Sequence, residues 1–239
     1  MPVITFANTK GGAGKTTAVL LVATELARMG HKVSVLDADP QHWITRWHDS
    51  SNNVCGDRLS VTSYVTMGTI DRHIAEERSR ADVVLIDLPG SRSSLLAKAI
   101  GYSNYVLIPV QGSAMDAQGG AHVIELLQYL EDKANIRIPH SVVLTRVNSM
   151  VTTRALQAVK ELLASRRVHV LDTPIIERSA YRDVFGCGKT LYTMDPRNVS
   201  NLEKAQENAQ ALAAEVLRKL PSSFGQSTVR TSQQLKNVA

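Results

Sequence analysis

Short runs of apolar residues alternate with longer segments of helical periodicity along most of this chain. The apolar runs are rich in Val, Ile and Leu, and they predict strands at 3–8, 32–37, 59–65, 82–87, 104–110, 141–146 and 167–171. The periodic segments predict helices at 15–29, 41–49, 69–79, 93–100, 115–134, 152–165, 177–186 and 199–219. Strands that are separated by helices favour an α/β fold with a doubly wound, mostly parallel sheet and helices on both faces.

The length and composition fit one folded domain. The chain has 239 residues, of which 44% are hydrophobic, and this is ample for one α/β core. No internal repeat and no Pro/Gly-rich linker interrupts residues 1–220, which we predict to form a single domain. The segment 221–239 is rich in Ser, Gln and Thr, and its composition predicts a disordered tail.

The first predicted strand runs directly into a Gly-rich loop of sequence KGGAGKTT at residues 10–17. Small residues let successive backbone N–H groups point at phosphates, and the dipole of the helix that follows adds to their attraction. Lys15 would bring positive charge to the β- and γ-phosphates, and the Thr16 hydroxyl suits Mg²⁺. The loop predicts a nucleotide site built from Gly11, Gly12, Ala13, Gly14, Lys15, Thr16 and Thr17.

Carboxylates follow two of the other predicted strands. Asp37 and Asp39 lie two residues apart at the end of strand 32–37, and Asp87 ends the apolar strand 82–87. The carboxyl ends of parallel strands meet at the ligand-binding edge of such sheets, so all three should approach the phosphates. Of the first pair, one carboxylate can support the lysine or the Mg²⁺ shell and the other can orient the attacking water. Asp87 has the position of a carboxylate that holds the water shell of Mg²⁺.

Lys10 is a second lysine, at the head of the loop. A charged side chain beside a phosphate pocket costs desolvation free energy unless an anion compensates it. This cost argues against a purely structural role for Lys10.

These residues resemble the ParA/MinD family of deviant Walker ATPases. Residues 10–17 are similar to its signature loop, and Asp37-Ala38-Asp39-Pro40-Gln41 is similar to its second motif. The segments 108–116 and 173–188 are similar to later motifs of plasmid-partition ParA proteins, so the resemblance covers about residues 1–219. The chain begins with its first strand, and we expect it to match the short class without an N-terminal helix-turn-helix domain.

The resemblance implies an ATPase with weak basal activity that uses ATP and Mg²⁺. Two subunits would close face to face, and Lys10 of each would reach the nucleotide of the other. Thr17 would lie near the α-phosphate, Asp39 would orient the hydrolytic water and Asp37 would support the lysine and metal network. The resemblance also places adenine contacts at Arg146 and Pro174.

Positive charge is concentrated in the second half of the chain. Residues 1–136 carry 12 Lys/Arg and 14 Asp/Glu, whereas residues 137–239 carry 15 and 8. Such an excess is an electrostatic footprint for a polyanion. Together with the resemblance, it predicts that the ATP-bound dimer binds DNA without sequence preference, through Arg154, Lys160, Arg166, Arg167, Arg218 and Lys219.

The tryptophans, histidines and cysteines of the chain are not assigned to the functional site. Trp43 and Trp47 are four residues apart on a predicted helix, so we expect them to share one packing face. Seven histidines show no metal-ligand spacing, and Mg²⁺ is the only metal expected. Cys55 and Cys187 form no Cys-x-x-Cys pair, which argues against a disulfide framework and an iron–sulfur reductase.

The function predicted from these features is ATP-dependent segregation or positioning of plasmid DNA. The family implies a ParB-like adaptor on the centromere, which stimulates hydrolysis, and a plasmid-encoded cytoplasmic protein associated with the nucleoid. Three alternatives stay open: a ParA-like accessory ATPase of conjugative DNA transfer, a metabolic P-loop ligase or kinase, and a membrane-cycling positioning factor. No apolar run reaches the ~18 residues of a membrane span, and the tail lacks an amphipathic pattern, so no membrane partner is expected.

Overall fold

A computed structural model describes residues 1–112, 114–148 and 150–220 of the chain. The predicted tail at 221–239 lies outside these residues. Seven strands form one sheet: β1 (Val3–Phe6), β2 (Val33–Asp37), β3 (Leu59–Thr62), β4 (Val83–Asp87), β5 (Tyr105–Gln111), β6 (His140–Val147) and β7 (Ile175–Ile176). Their order is β3-β2-β4-β1-β5-β6-β7, and every pair of neighbours is parallel. The predicted doubly wound parallel sheet is therefore confirmed.

Eight helices connect or follow these strands within the described residues. They are α1 (Lys15–Arg28), α2 (Trp43–Ser50), α3 (Ile70–Glu77), α4 (Ser94–Tyr102), α5 (Ala114–Ala134), α6 (Arg154–Ser165), α7 (Ser179–Cys187) and α8 (Leu202–Lys219). Helices α1, α2, α7 and α8 pack on one face of the sheet, and α3, α4, α5 and α6 pack on the other. No helix in the described part of the chain is both long and apolar enough to cross a membrane.

The five inner strands β1, β2, β4, β5 and β6 supply both hydrophobic layers because successive side chains point to opposite faces. In β4, Val83 and Leu85 belong to the layer under α1, whereas Val84 and Ile86 belong to the layer under α3 and α4. All five residues of this strand are buried. The fully apolar run that predicted the strand is thus the consequence of helices on both faces.

The predicted strand at 167–171 is wrong. Only Val170 makes an isolated parallel bridge there, to Val142 of β6. The Glu215 carboxylate of α8 then accepts the backbone N–H groups of Asp172 and Thr173, at 2.8 Å each, which takes these groups away from the sheet. The chain pairs with β6 again only at β7, where the register shifts between Thr145 and Val147.

The expected common packing face of Trp43 and Trp47 is also wrong. Trp47 is 1% exposed, and its indole N–H donates to the Lys189 carbonyl at 2.9 Å. Trp43 is 45% exposed, because it is the first residue of α2 and lies at the carboxyl edge of the sheet. The two residues therefore have different roles.

Candidate functional site

The phosphate loop lies at the carboxyl edge of the sheet, between β1 and α1. It borders a cavity of about 450 Å³ that is lined by Gly11, Gly12, Gly14, Lys15, Thr16, Thr17, Asp39, Pro40, Gln41, Trp43, Pro89, Gly90, Ser91 and Arg146. The chain thus brings most of its predicted phosphate-binding residues to one place. Ala13 is the exception, because it is fully buried behind the loop and its carbonyl accepts the Thr145 hydroxyl at 2.9 Å.

The loop needs glycine at two of its positions. Gly12 and Gly14 have φ angles of 77° and 91°, in the region that side chains with a Cβ rarely adopt. Gly14 is the residue before α1, so the first N–H groups of the helix follow it directly. These groups have no acceptor within the helix and are suited to an anion.

Lys15 and Lys10 meet at the loop. The Lys15 ammonium is buried and donates to the Lys10 carbonyl at 3.2 Å. Burial lowers the pKa of Lys15, and the carboxylates of Asp87 and Asp39 oppose this shift. The Lys10 backbone N–H donates to the Asn8 side-chain oxygen at 2.8 Å, which orients the start of the loop.

Four supporting residues were missed by sequence reasoning. Asn8 is buried and also donates to the Pro109 carbonyl at 2.7 Å, and Gln111 donates to the Gly12 carbonyl. Gly90 and Gly119 pack so closely against the start of the loop that a Cβ on either would clash: at Gly90 with the loop backbone, and at Gly119 with the Asn8 and Lys10 side chains. The available signals were a polar residue directly after an apolar strand and a Gly-Gly pair inside a predicted helix.

The three predicted carboxylates have different environments. Asp37 is fully buried and accepts the Thr45 hydroxyl at 2.7 Å and the Thr45 backbone N–H at 3.0 Å. It therefore ties α2 to β2, and it makes no hydrogen bond to Lys15. Asp39 is half-buried at the cavity wall, where its Oδ1 accepts the Gln41 N–H at 2.8 Å.

Asp87 is fully buried, and neither of its oxygens accepts a hydrogen bond from the described residues. Burial raises the pKa of Asp87 to about 8, and the Thr16 hydroxyl and the Lys15 ammonium act in the opposite direction. An uncompensated buried carboxylate is costly unless a ligand satisfies it. A cation with its water shell, beside the Thr16 hydroxyl, meets this requirement, so these residues fit Mg²⁺.

A second, smaller cavity of about 70 Å³ adjoins the first. It is lined by Gly14, Thr17, Thr145, Arg146, Ile175, Ile176, Glu177, Arg178, Tyr181 and Arg182. Arg146 borders both cavities. Pro174 is not among the residues that line this cavity, and its carbonyl accepts the Asn208 amide at 2.8 Å. The residues that follow it, Ile175 and Ile176, line the cavity.

The structure does not bring the six predicted DNA-binding residues together. Arg154 begins α6 at the carboxyl edge, and Arg166 and Arg167 follow the other end of that helix, on the order of 18 Å away. Helix α8, which ends in Arg218 and Lys219, packs on the opposite face of the sheet. Lys160 lies on the exposed side of α6.

The end of α8 nevertheless contacts the segment that follows α6, through a histidine. The Lys219 ammonium lies 3.1 Å from His169 Nε2, and His169 Nδ1 lies 2.8 Å from the Ser141 hydroxyl at the start of β6. Strands begin at the edge opposite the phosphate loop, so Arg166, Arg167 and Lys219 all lie at that edge. We call these three residues the amino-edge cluster.

The parallel sheet, the glycine-dependent loop and the buried Lys15 and Asp87 define a P-loop nucleoside triphosphatase. The model of the VirC1 protein family matches residues 1–222. The chain therefore belongs to the VirC1 family, within the ParA/MinD group of P-loop ATPases.

Individual relatives agree with this assignment. Protein ParA of Rhizobium radiobacter is 34% identical over 220 residues, which cover 92% of this chain and 98% of the relative. Protein virC1 of Rhizobium rhizogenes is 32% identical over 188 residues, which cover 76% and 79% of the two chains. A plasmid partition protein of Borrelia burgdorferi bound to AMPPNP has the same fold, with a TM-score of 0.69, 20% identity and coverage of 92% and 99%.

Proposed function

We propose that this chain is an ATPase that segregates or positions plasmid DNA. The observation that carries the proposal is the cavity at which Lys15, Thr16 and Asp39 meet, with the unpartnered Asp87 carboxylate behind it. This arrangement occurs in a chain that is 34% identical to protein ParA of Rhizobium radiobacter along almost its whole length.

The residues have separate tasks in this proposal. Lys15 and the loop N–H groups bind the β- and γ-phosphates of ATP, Thr17 lies near the α-phosphate, and Arg146 lies beside the nucleoside. Thr16 and the water shell held by Asp87 accommodate Mg²⁺, which supplies charge neutralisation at the phosphates. Asp39 orients the hydrolytic water.

Asp37 contributes to this arrangement indirectly. Its two hydrogen bonds from Thr45 fix α2 relative to β2, and the turn that carries Asp39 lies between these elements. We therefore propose that Asp37 supports the site through the position of Asp39.

Dimerisation and DNA binding complete the proposed cycle. Two ATP-bound subunits close face to face, so that Lys10 of each contributes to the nucleotide site of the other. The closed dimer binds DNA through phosphate contacts, and hydrolysis, stimulated by a ParB-like adaptor on the centromere, releases it. We propose that this cycle takes place in the cytoplasm, on nucleoid DNA.

The experiment that tests this function is binding to a random-sequence duplex with ATP, ADP or no nucleotide across a salt series. We expect binding only with ATP, with an affinity that falls steeply as salt rises, and no binding by Lys15→Ala. If the protein binds DNA neither with ATP, nor with ADP, nor without nucleotide, the proposal is contradicted. That result would favour a metabolic ligase or kinase, or a membrane-cycling factor, and liposome sedimentation would detect the latter.

Charge variants locate the DNA surface. Arg166→Ala/Arg167→Ala and Lys219→Ala remove the amino-edge cluster, whereas Arg154→Ala changes the nucleotide edge. Arg72→Ala/Arg78→Ala removes two exposed charges, one on α3 and one directly after it, and is the matched control. We expect the amino-edge variants to weaken binding and to reduce its salt dependence, and the control to bind normally.

A role in conjugative DNA transfer is a second candidate function. It is favoured by the match to the VirC1 family model and by protein virC1 of Rhizobium rhizogenes, at 32% identity. Deletion of the gene separates the two functions. Loss of the plasmid during unselected growth supports partition, and normal inheritance with reduced transfer to a recipient supports conjugation.

A further inference from the structure

Trp43 lies on the wall of the phosphate cavity although the residue is 45% exposed. An indole is an unusual wall for a site that binds phosphate, because its faces provide no positive charge. The polar group of Trp43 is its N–H, which donates to Gln41 Oε1 at 2.7 Å. The Arg46 guanidinium lies 5.4 Å from the centre of the indole ring, a cation–π contact that holds the ring in place.

This hydrogen bond determines how the Gln41 amide is oriented. An indole N–H is a donor only, so the amide must turn its oxygen toward Trp43. The amide NH₂ then points away from the indole. This NH₂ group makes no hydrogen bond with the described residues. Gln41 lines the phosphate cavity, as Trp43 does. The amide therefore offers two unused donors beside the phosphate site.

The turn that carries Gln41 also holds Asp39. The Asp39 carbonyl accepts the His42 N–H at 2.9 Å, and Asp39 Oδ1 accepts the Gln41 N–H at 2.8 Å. Pro40 occupies the second position of this turn, where its fixed φ angle is favourable. Asp39 Oδ2 makes no hydrogen bond with the residues that the structure describes. One short turn thus presents an acceptor and a pair of donors to the cavity.

We propose that Gln41 donates a hydrogen bond to an oxygen of the terminal phosphate, and that Trp43 is the positioning residue that holds its amide in the donating orientation. Charge is spread over the oxygens of the transferred phosphoryl group in the transition state, where fixed donors are most effective. Lys15 and the loop serve the phosphates from one side of the cavity, and Gln41 serves them from the side of α2. This inference rests on the proposed ATPase function.

A double-mutant cycle on ATP turnover tests the two roles. Gln41→Leu removes the donors, and we expect kcat to fall roughly 10²-fold. Trp43→Phe keeps a ring and removes the N–H, and we expect a loss of about tenfold, equivalent to one net hydrogen bond. If Trp43 acts through Gln41, adding Trp43→Phe to Gln41→Leu causes no further loss.

The indole N–H itself provides a readout that is independent of turnover. The chain has two tryptophans, so a ¹⁵N-labelled protein gives two indole resonances, and Trp43→Phe identifies one of them. In the nucleotide-free protein we expect Gln41→Leu to shift the Trp43 resonance and to leave that of Trp47 in place. With a non-hydrolysable ATP analogue, the Gln41 NH₂ resonances should shift in wild type and persist unchanged in Lys15→Ala.

Trp47→Phe is the matched control, because it removes an equivalent indole N–H from a buried tryptophan elsewhere on α2. It should lower thermal stability with little change in kcat at a temperature where the variant is folded. Additive losses in the cycle, or a Trp43 resonance that is unaffected by Gln41→Leu, would overturn the inference. A wild-type protein without ATPase activity would instead contradict the proposed function, and the resonance test would still report on the Trp43–Gln41 contact.

Discussion

Gly90 packs directly against Gly11 of the phosphate loop: a Cβ built at Gly90 would lie 2.5 Å from the Gly11 backbone nitrogen. Gly90 follows β4, the strand that delivers Asp87 to the site. The same segment therefore supplies the carboxylate for Mg²⁺ and supports the loop that surrounds the phosphates. Substitutions at this contact should change nucleotide binding without removing any ligand group.

Gly90→Ala is expected to weaken ATP binding roughly 5- to 150-fold, because the loop backbone must move to accept the methyl group, at a cost of about 1–3 kcal/mol. Titration with a fluorescent ATP analogue measures the affinity. Gly101→Ala is the matched control, since it adds the same methyl group to α4 with no atom within 4 Å. Equal affinities for the two variants would show that the loop accommodates a side chain at Gly90.

Gly119 of α5 makes a similar contact with the first residues of the loop. A Cβ there would lie 2.9 Å from Lys10 Cβ and would also strike the Asn8 side-chain oxygen. Gly119→Ala should displace Asn8 and remove its hydrogen bond to the Lys10 N–H, so both ATP affinity and thermal stability should fall. Gly186→Ala, on α7, meets no atom within 4 Å and should be neutral. Normal ATP affinity in Gly119→Ala would mean that the Asn8 contact does not control the loop.

Thr45→Val tests how Asp37 is satisfied. The variant keeps the shape of the side chain and removes the hydroxyl that donates to Asp37 Oδ2 at 2.7 Å. A hydrogen bond to a charged group contributes about 1.5–3 kcal/mol, so the urea midpoint should fall. Thr45→Ser retains the hydroxyl and should lie much closer to wild type. An unchanged urea midpoint in Thr45→Val would mean that the hydroxyl bond to Asp37 does not stabilise the fold.

Glu215 predicts a pH dependence of stability. Burial would raise its pKa, but hydrogen bonds from the Thr173 side chain and from the Asp172 and Thr173 N–H groups, with Arg218 nearby, lower it overall. Because the unfolded state then binds a proton more readily than the folded state, the stabilisation is present above the unfolded pKa. It is lost as pH falls through the folded pKa.

Glu215→Gln should therefore be less stable than wild type near neutral pH, and the difference should shrink between about pH 6 and pH 3. Thermal unfolding at several pH values measures both curves. The substitution also loosens the segment that leads into β7, so the cavity lined by Ile175 and Ile176 should bind the nucleoside less tightly. A constant difference across this pH range would mean that the Glu215 charge does not contribute.

Several features of the fold were predictable because they depend on local pattern. The β1 and β4 runs are mostly apolar, since helices cover both faces, and the Gly-Lys-Thr segment marks the start of α1. The prediction failed at 167–171, where the residues have strand character but pair with β6 only through one bridge, and a distant side chain, Glu215, takes the next two backbone donors, at Asp172 and Thr173. It failed again at Trp43 and Trp47, because helical spacing does not indicate that the first residue of a helix lies at an open edge.

The residues of the candidate site divide in the same way, into those that local chemistry predicts and those that depend on distant contacts. Residues 10–17, Asp37, Asp39 and Asp87 were recognisable because the chemistry of phosphates and Mg²⁺ requires particular side chains at strand ends. The contributions of Asn8, Gln41, Gly90, Gly119 and Thr45 arise from hydrogen bonds and close contacts, most of them between residues far apart in the chain.

By itself, the sequence determined the order of strands and helices, the phosphate loop and the edge of the sheet at which the site lies. Only the tertiary structure decided where β7 pairs, that Asp37 bonds to Thr45 and not to Lys15, and that the basic residues separate onto two edges. The physical reason is that periodicity and motif chemistry are local properties. Burial, hydrogen-bond competition and the face on which a helix packs depend on parts of the chain that meet only after folding.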